Sequence, residues 1–301
     1  SAASDVYKRQ DVLIGRISRT YLIDNYLIVT DYNSPDKLIH LFDKNTFEHL
    51  ASSTYQGQGP GEITIIGHVG IDETNRRFFV SDHGKLKIFA YDLDSVLTTP
   101  EYQPSVKIDM KKKLFPDDYL YLNDTLCIAR IIEPIGNNDY KPSVARWNMA
   151  TGEINPMPYE YPDLKKVRFI YAASAEHQLY VQCYTQYDLM TICDFNGNLK
   201  CNIYGPKWVN EKTQTQHYSL GVEFCGDKIL ALYSGGDHRT DAYYPTKFLV
   251  FDLNGNYLKT LETGYMITDF CYDKENNRLI INLNDEIQFA YLDLSLIHIS
   301  E

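Results

Sequence analysis

Six short apolar segments recur along the chain at intervals of about 50 residues. Each is rich in apolar and β-branched residues and is bounded by polar or turn-forming residues, which is typical of a buried β-strand. Helical periodicity is scarce between them. The six segments are Leu27–Thr30, Phe78–Ser81, Leu126–Ala129, Leu179–Gln182, Ile229–Leu232 and Leu279–Asn282.

A second landmark follows most of these segments, namely an aromatic residue and an Asp, or a similar pair, that leads into a turn. Asp and Asn favour turns because their side chains accept hydrogen bonds from the turn backbone. Two landmarks in phase, six times over, indicate six units of about four strands each, which is typical of β-propeller blades. The sequence therefore predicts an all-β, six-bladed β-propeller with four-stranded antiparallel blades. The six pairs are Phe42-Asp43, Tyr91-Asp92, Trp147-Asn148, Cys193-Asp194, Phe251-Asp252 and Leu292-Asp293.

The last blade contains only three predicted strands, near residues 267–272, 279–283 and 287–292. The segment Asp11–Ile17, ahead of the first blade, has an alternating pattern that suits an outer strand. We expect this N-terminal strand to close the last blade, so that no open edge remains between the first and last blades. The predicted domain is a single propeller over residues 11–294.

Both ends of the chain look foreign to the protein. Residues 1–10 and 295–301 resemble translated sequencing-adapter sequence, so we exclude them from the fold prediction. The natural N-terminus, with any signal peptide or lipidation cysteine, is then expected to be missing. No apolar run approaches the length of a transmembrane helix.

A Gly/Pro-rich stretch at Gln56–Glu62 joins the first predicted blade to the second. Its Gly57, Gly59 and Gly61 tolerate positive φ, and Pro60 fixes its own φ, which together predict a rigid turn. A phosphate-binding loop would need Lys-Ser/Thr or a helix start after the glycines. Here Glu62 is followed by Ile63–Ile66, which predicts a strand instead.

This G-x-G-P-G-E motif resembles that of the TolB-like six-bladed β-propeller family, whose members are usually predicted lipoproteins or cell-envelope proteins. The resemblance implies the same fold, a periplasmic or envelope location and a lipid anchor on the missing N-terminus. It implies no particular activity.

Charge and cysteine content argue against several classes of function. A formal net charge of −11 without a Lys/Arg stripe argues against binding to nucleic acid or to anionic membranes. The six cysteines include no C-x-x-C pair, so neither a zinc site nor a redox motif is indicated. We expect buried free thiols, with one disulfide among Cys183, Cys193 and Cys201 as the alternative.

Long loops are predicted on one face of the propeller, where the connection between strands two and three of a blade and the connection to the next blade emerge together. The connections on the opposite face are short. Long loops on a rigid scaffold are where binding usually occurs. The long predicted loops are 32–37, 133–141, 234–246, 56–67, 98–114, 157–168 and 204–219.

The richest of these loops, Ser234–Thr246, combines aromatic rings with charged side chains, as expected where a sugar or a peptide is bound. Its counterpart at 133–142 adds one tyrosine, and two more lie in the segment 184–187. The alternative is a solvated insertion capped by Asp turns. The predicted ligand-binding residues are Asp237, His238, Arg239, Asp241, Tyr243, Tyr244, Tyr140, Tyr184 and Tyr187.

No catalytic motif accompanies this surface. There is no G-x-S-x-G sequence and no recognisable metal-binding spacing of histidines, so no cofactor is predicted and a metal site is left open. We therefore predict a non-catalytic envelope protein that binds a protein, peptide or glycan. The alternative is a metal-assisted lyase or hydrolase that acts on a sugar or lactone at the central channel, with His68, His83 and His238 as ligands.

Overall fold

The computed structural model describes residues 3–5, by their backbone alone, together with residues 12–164 and 167–297. The density of internal contacts divides the chain into two compact units. The N-terminal unit holds the described residues of 12–133 and 145–155. The C-terminal unit holds those of 3–5, 134–144 and 156–297.

The described residues form six four-stranded antiparallel sheets, which confirms the predicted all-β, six-bladed β-propeller. Strand β1 (Ala3–Asp5) comes first in the chain. The first sheet holds β2 (Ser18–Ile23), β3 (Tyr26–Asp31), β4 (Lys37–Asp43) and β5 (His49–Tyr55), and the second holds β6 (Ile66–Asp72), β7 (Arg77–Asp82), β8 (Lys87–Asp92) and β9 (Ser105–Asp109). The third holds β10 (Phe115–Asn123), β11 (Leu126–Gly136), β12 (Asp139–Trp147) and β13 (Ile154–Pro156).

The remaining sheets follow the same order of strands. The fourth holds β14 (Phe169–Ser174), β15 (Leu179–Tyr184), β16 (Leu189–Asp194) and β17 (Leu199–Tyr204), and the fifth holds β18 (Thr215–Cys225), β19 (Lys228–Asp237), β20 (Lys247–Asp252) and β21 (Tyr257–Glu262). The sixth holds β22 (Ile267–Asp273), β23 (Arg278–Leu283), β24 (Phe289–Asp293) and β1. Helix is confined to α1 (Leu93–Thr98) and two 3₁₀ turns at Asp241–Tyr243 and Leu294–Leu296 within the described ranges.

The second strand of each sheet contains one of the six apolar segments, and both faces of this strand are buried. In β7, Phe78 and Val80 belong to the same core cluster as Ile28 of the first sheet. Phe79, which lies between them and points to the other face, joins a cluster with Cys127 of the third sheet. Successive side chains of a strand alternate between faces, so each such strand helps to fill two cores.

The C-terminal unit repeats this arrangement. Ile229 and Ala231 of β19 lie in one cluster with Val181 of the fourth sheet. Leu230, between them in the strand, lies in another cluster with Leu279 of the sixth sheet. An apolar run without alternation therefore indicates a strand that is covered on both faces.

The structure also explains the second landmark, the aromatic-Asp or similar pair that leads into a turn. The residue that ends the third strand of a sheet, or directly follows that strand, accepts backbone N–H groups of the next residues, as Asp43 Oδ1 does from Asn45 and Thr46 at 2.8 and 2.9 Å. The same pattern of side-chain acceptance by Asp or Asn recurs at Asp92, Asn148, Asp194, Asp252 and Asp293. These bonds set the turn to the fourth strand in four sheets, cap α1 after β8 in the second sheet, and cap the 3₁₀ turn after β24 in the sixth.

The Gly/Pro stretch forms the compact turn that its sequence predicts. Gly57 N–H donates to the Ile63 carbonyl at 3.0 Å, and Glu62 N–H donates to the Gly59 carbonyl at 3.1 Å. Glu62 Oε2 in turn accepts the Gly59 N–H at 2.8 Å. Gly61 has a φ of +73°, a conformation that favours glycine.

Asp82, at the end of β7, holds this turn against the second sheet. Its fully buried carboxylate accepts four backbone N–H groups, from Thr64, Ile65, Gly84 and Lys85, at 2.9 to 3.2 Å. The Lys85 ammonium also donates to two carbonyls of the turn, at 2.8 and 2.6 Å. One buried carboxylate thus satisfies backbone groups that would otherwise be unpaired.

An N-terminal strand does close the sixth sheet, but it is β1 rather than the predicted segment Asp11–Ile17, whose first residue lies outside the described part of the chain. β1 pairs antiparallel with β24, with Ala3 opposite Leu292. Residues 12–17 form no strand; instead Gly15 N–H donates to Asp31 Oδ2 at 2.7 Å, and Ile14 is buried. These contacts hold the segment beside the first sheet. The foreign origin of residues 1–10 and 295–301 and the domain range 11–294 stay predictions.

Two predicted long loops contain regular structure. Residues 133–141 lie in the hairpin of β11 and β12, whose turn places Gly136 and Asn138 at positive φ. Residues 98–114 include β9. Short connections were predicted between the third and fourth strands of each sheet. The longest of these is the segment 93–104, in which α1 separates β8 from β9.

All six cysteines are free thiols, and five are buried, so no bridge links Cys183, Cys193 and Cys201. Burial raises the pKa of Cys183 and Cys225 well above the usual thiol value. None of the helices in the described part of the chain has the length and apolar character that a membrane crossing needs.

We expect Asp82→Ala to lower the free energy of unfolding by about 3 to 5 kcal/mol, because several buried N–H groups lose their acceptor. Asp82→Asn, which keeps one acceptor oxygen, should cause a smaller loss. Asp227→Ala removes an exposed carboxylate and should change stability by less than about 0.5 kcal/mol. Urea denaturation of the three variants measures this order, and an Asp82→Ala protein as stable as Asp227→Ala would contradict it.

Candidate functional site

The predicted binding loop 234–246 begins inside β19, which continues to Asp237, and ends where β20 starts. The Ser234 hydroxyl closes the loop, since it accepts the Gly236 N–H and donates to the Ala242 carbonyl, both at 3.1 Å. A Cβ on Gly236 would collide with that same carbonyl. The loop is therefore held in one conformation by its own hydrogen bonds.

Asp237 and Arg239 form an exposed ion pair within this loop. Arg239 Nε lies 3.0 Å from Asp237 Oδ1, and its Nη2 lies 2.5 Å from Oδ2. The guanidinium holds the pKa of the Asp237 carboxyl well below its usual range. The Arg239 side chain is 66% exposed, so its remaining N–H groups face solvent. The neighbouring His238 is anchored instead, because both its backbone N–H and its ring Nδ1 hydrogen-bond the Gln214 carbonyl at 2.9 Å.

Tyr243 and Tyr244 stack on each other with ring centroids 4.3 Å apart and an interplanar angle of 29°. Both are half-buried, and they follow Asp241 in the 3₁₀ turn. Thr240 caps that turn by accepting the Ala242 N–H. The loop thus presents aromatic surface next to an ion pair.

Tyr140 lies in β12 rather than in a loop. The Arg168 guanidinium stacks over its ring, 4.4 Å from the centroid, and also lies 3.7 Å from the Asp139 carboxylate. Tyr140 is half-buried, so part of its ring is accessible. The structure joins Tyr140 with Arg168, a residue that the sequence did not single out.

Tyr184 and Tyr187 are buried, with exposed fractions of 2% and 3%. Tyr184 packs edge-on against Phe169, and Tyr187 lies 6.3 Å from the ring of Trp208. Neither tyrosine offers an accessible ring in this structure. Both rings instead pack against neighbouring aromatic side chains. A direct role of the two tyrosines in ligand binding stays a prediction.

An aromatic cluster lies next to Tyr187, at the connection between the fourth and fifth sheets. Trp208 packs edge-on against Tyr204 and Tyr161, with centroid distances of 5.0 and 6.0 Å. The Tyr161 and Tyr204 hydroxyls are 3.0 Å apart. Tyr204 is 50% exposed. Tyr204 and Trp208 fall in the predicted loop 204–219, but Tyr161 comes from a segment 43 residues before Tyr204, which no local pattern connects.

Asp188 fixes the segment that carries Trp208. Its buried carboxylate accepts the Lys207 N–H at 2.9 Å and the Tyr233 hydroxyl at 3.1 Å. Tyr233 is in turn hydrogen-bonded to His217 Nδ1 at 3.1 Å. Burial, together with the Asp188 charge, raises the pKa of Tyr233 above its usual value, so the phenol stays protonated and donates.

Lys207 also connects this segment to the binding loop, because its ammonium donates to the Gly235 carbonyl at 3.5 Å. Residues 204–208 and 234–246 are therefore neighbours in the C-terminal unit. We call these two segments, with Tyr161, the loop surface. It contains six of the nine predicted ligand-binding residues, and the other three, Tyr140, Tyr184 and Tyr187, lie outside it.

Of the three histidines in the catalytic alternative, His68 and His83 are neighbours in the N-terminal unit. His68 Nδ1 lies 3.4 Å from Asp118 Oδ1, while its Nε2 donates to the Tyr119 carbonyl at 3.1 Å. His83 belongs to the same unit and has a pKa lowered by burial, whereas His238 belongs to the loop surface. Over the residues that the structure describes, no three His, Cys, Asp or Glu side chains come together in a way that could hold a metal ion.

Comparison with known structures reveals the same fold in bacterial proteins. A member of the DUF4221 family from Bacteroides vulgatus has a TM-score of 0.63 at 12% identity, covering 96% of this chain and 94% of that one. A gluconolactonase from Xanthomonas campestris has a TM-score of 0.59 at 14% identity, covering 96% and 88%. Identities this low show the fold alone.

The extracellular domain of a protein described as a hybrid two-component system of B. thetaiotaomicron is also similar. Its TM-score is 0.56 at 12% identity, over 94% of this chain but 34% of that one. The structural neighbours thus include extracellular domains of a bacterial protein. Comparison with curated proteins found no match.

One family model, DUF5128, described as a six-bladed β-propeller, matches residues 8–124. The match spans the first two sheets and the start of the third, which is less than half of the chain. It supports the six-bladed propeller that the Gly/Pro motif implied, whereas membership of the TolB-like family stays a prediction. The chain is therefore a six-bladed β-propeller whose N-terminal part is similar to DUF5128.

Proposed function

We propose that this protein is a non-catalytic cell-envelope propeller that binds a glycan, a peptide or a protein segment through the loop surface. The observation that carries the proposal is the contact between Lys207 and Gly235. It places the aromatic cluster around Trp208 beside a loop that presents the exposed Asp237–Arg239 pair. Aromatic rings and hydrogen-bonding charges are thereby adjacent on one surface.

The chemistry of this surface suits a ligand with both apolar and polar faces. Tyr204, Tyr243 and Tyr244 offer ring area and hydroxyl groups, which favour amphipathic ligands. Arg239 can donate hydrogen bonds to carbonyl, carboxylate or hydroxyl oxygens while it remains paired with Asp237. Because internal hydrogen bonds already fix the loop, binding requires little further ordering.

Charge and structural likeness support the same reading. A net charge of −11 disfavours nucleic acid as a partner. Structural neighbours that are extracellular domains support an envelope location. A lipid anchor, as the family resemblance implies, would hold such a binding domain at the membrane surface.

The alternative is a metal-assisted hydrolase or lyase that acts on a sugar or lactone. Its support is the His68–Asp118 pair, at 3.4 Å, together with the likeness in fold to a gluconolactonase. Glucono-lactone hydrolysis that a chelator and His68→Ala both abolish would favour this alternative over the binding function.

The first prediction concerns the loop surface itself. Glycan and peptide arrays should identify a ligand, and the triple variant Arg239→Ala/Tyr243→Ala/Tyr244→Ala should bind it at least about tenfold more weakly, since truncated anchor residues commonly cost more than 1 kcal/mol each. Trp208→Ala should weaken binding as well. Affinity is measured by calorimetry on proteins with matched melting curves.

The matched control is Arg16→Ala/Tyr32→Ala, which removes an exposed arginine and an exposed tyrosine from the N-terminal unit. This control should bind as the unaltered protein does. Equal affinity of the triple variant and the control would refute the loop surface as the binding site.

The second prediction tests whether the fixed shape of the loop matters. Ser234→Ala removes the two hydrogen bonds that close the loop, each worth about 1 kcal/mol. We expect affinity to fall several-fold, because the loop must then be ordered on binding. Ser234→Thr keeps a hydroxyl and should retain most of the affinity. Identical affinities for the alanine and threonine variants would show that loop closure does not contribute.

A further inference from the structure

The aromatic cluster of the loop surface consists of Tyr161, Tyr204 and Trp208, whose rings stand steeply inclined to one another. The interplanar angle is 66° between Tyr161 and Trp208, 67° between Tyr204 and Trp208, and 73° between the two tyrosines. Rings at such angles form steps rather than a flat platform. A flat platform would suit the broad face of a sugar ring, whereas aromatic-lined steps and grooves suit the compact ring of proline.

The turn that carries Trp208 is held by its backbone. The Trp208 N–H donates to the Gly205 carbonyl at 3.1 Å, and the Lys207 N–H donates to the buried Asp188 carboxylate at 2.9 Å. A Cβ on Gly205 would collide with that carboxylate, so the close approach of the turn requires glycine. The steps of the cluster are therefore in place before a ligand binds, which lowers the entropic cost of binding.

The cluster has hydrogen-bond donors to spare. Trp208 is half-buried, and its indole Nε1–H donates to none of the residues that the structure describes. The Tyr161 and Tyr204 hydroxyls, 3.0 Å apart, share one hydrogen bond, which leaves one of their two protons available. Burial, together with Tyr204, raises the pKa of Tyr161 to about 12, so its phenol keeps its proton at pH 7.

The lysine and the arginine of the loop surface are donors as well. The exposed Lys207 ammonium uses one N–H for the Gly235 carbonyl, at 3.5 Å, and the Arg239 side chain is 66% exposed. Neither cation has an acceptor atom. Asp237 is occupied by Arg239, and the exposed Asp241 suits a cationic residue that flanks the ligand. The surface is therefore complementary to a segment with many carbonyl oxygens and few N–H groups.

A polyproline II helix has these properties. Prolyl residues carry no N–H group, and their carbonyl oxygens face solvent because the helix has no internal hydrogen bonds. The helix is also preformed, so little conformational entropy is lost when it binds. A glycan instead presents hydroxyls, which donate as well as accept and would leave protons unpaired on a surface of donors. Donor chemistry and ring geometry thus favour a proline-rich peptide over a glycan.

We propose that the aromatic cluster binds a proline-rich peptide segment in the polyproline II conformation, with a proline ring seated in a step of the cluster and a peptide carbonyl accepting the Trp208 Nε1–H. Tyr204, which is 50% exposed, supplies ring surface for the proline. The proposal rests on the proposed binding function of the loop surface and narrows its ligand to one class.

The test observes Trp208 directly. The chain has two tryptophans, and Trp147 is only 2% exposed, so the indole ¹⁵N–¹H spectrum of the full chain holds two signals, which Trp147→Phe assigns. An octaproline peptide should shift the Trp208 signal in a saturable way and leave the Trp147 signal in place. A Gly-Ser peptide of the same length should bind at least tenfold more weakly. Absence of a saturable shift with octaproline would overturn the proposal, as would equal affinity for the Gly-Ser peptide.

Variants with matched melting curves separate the donor from the ring surface, with fluorescence anisotropy of labelled octaproline as the measurement. Trp208→Phe keeps an aromatic ring but removes the indole N–H, so it should weaken binding about threefold to tenfold. Tyr204→Ala should weaken it at least about fivefold. Tyr257→Ala truncates a tyrosine of the same unit that is 57% exposed and lies outside the loop surface, so this control should bind normally. Equal affinity of Tyr204→Ala and Tyr257→Ala would contradict the assignment.

Glycan probes distinguish failure of this proposal from failure of the proposed function. Cellotetraose and chitotetraose should each bind at least tenfold more weakly than octaproline. Suppose that a glycan shifts the Trp208 signal, that Arg239→Ala/Tyr243→Ala/Tyr244→Ala weakens this binding, and that octaproline does not bind. The loop surface is then a glycan site, so the proposed function stands and the proline-rich ligand is wrong. If neither octaproline nor any ligand from the arrays depends on the loop surface, both are wrong.

Discussion

The fold depends on covering both faces of the second strand in each sheet. Phe78 and Phe79 are adjacent in β7 yet belong to different cores, and Ile229 and Leu230 repeat this in β19. A single four-stranded sheet cannot bury both of its faces, so it requires a similar sheet on either side. The repeat in the sequence is the consequence of this requirement, because each unit must present apolar residues in both directions.

A second constraint acts at the ends of the strands. An Asp or Asn at the end of the third strand, or directly after it, binds the backbone that follows, and in four sheets this local chemistry sets the turn to the fourth strand. Connections without such an Asp or Asn differ in length, and the loop 234–246 is one of the long ones. A rigid scaffold with a few variable loops allows binding residues to change without loss of the fold.

A buried polar group connects the scaffold to the loop surface. Asp188 binds the Lys207 backbone and the Tyr233 hydroxyl, and it thereby supports the segment that carries Trp208. The partners of Asp188 lie 19 and 45 residues further along the chain, and a buried network of this kind favours one arrangement of the surrounding side chains.

The sequence by itself determined the class of fold, the number of sheets, the second strand of each sheet and the turns that follow the third, because these depend on local periodicity and on short-range hydrogen bonds. Tertiary structure alone decided that Tyr184 and Tyr187 are buried, that Tyr140 lies in a strand under Arg168, and that β1 rather than Asp11–Ile17 completes the sixth sheet. It also brought Lys207 to Gly235 and Ser52 to both His40 and His49. The exposure of a side chain and its contacts depend on which distant segments pack together. The residue pattern of one segment does not show which other segments lie beside it.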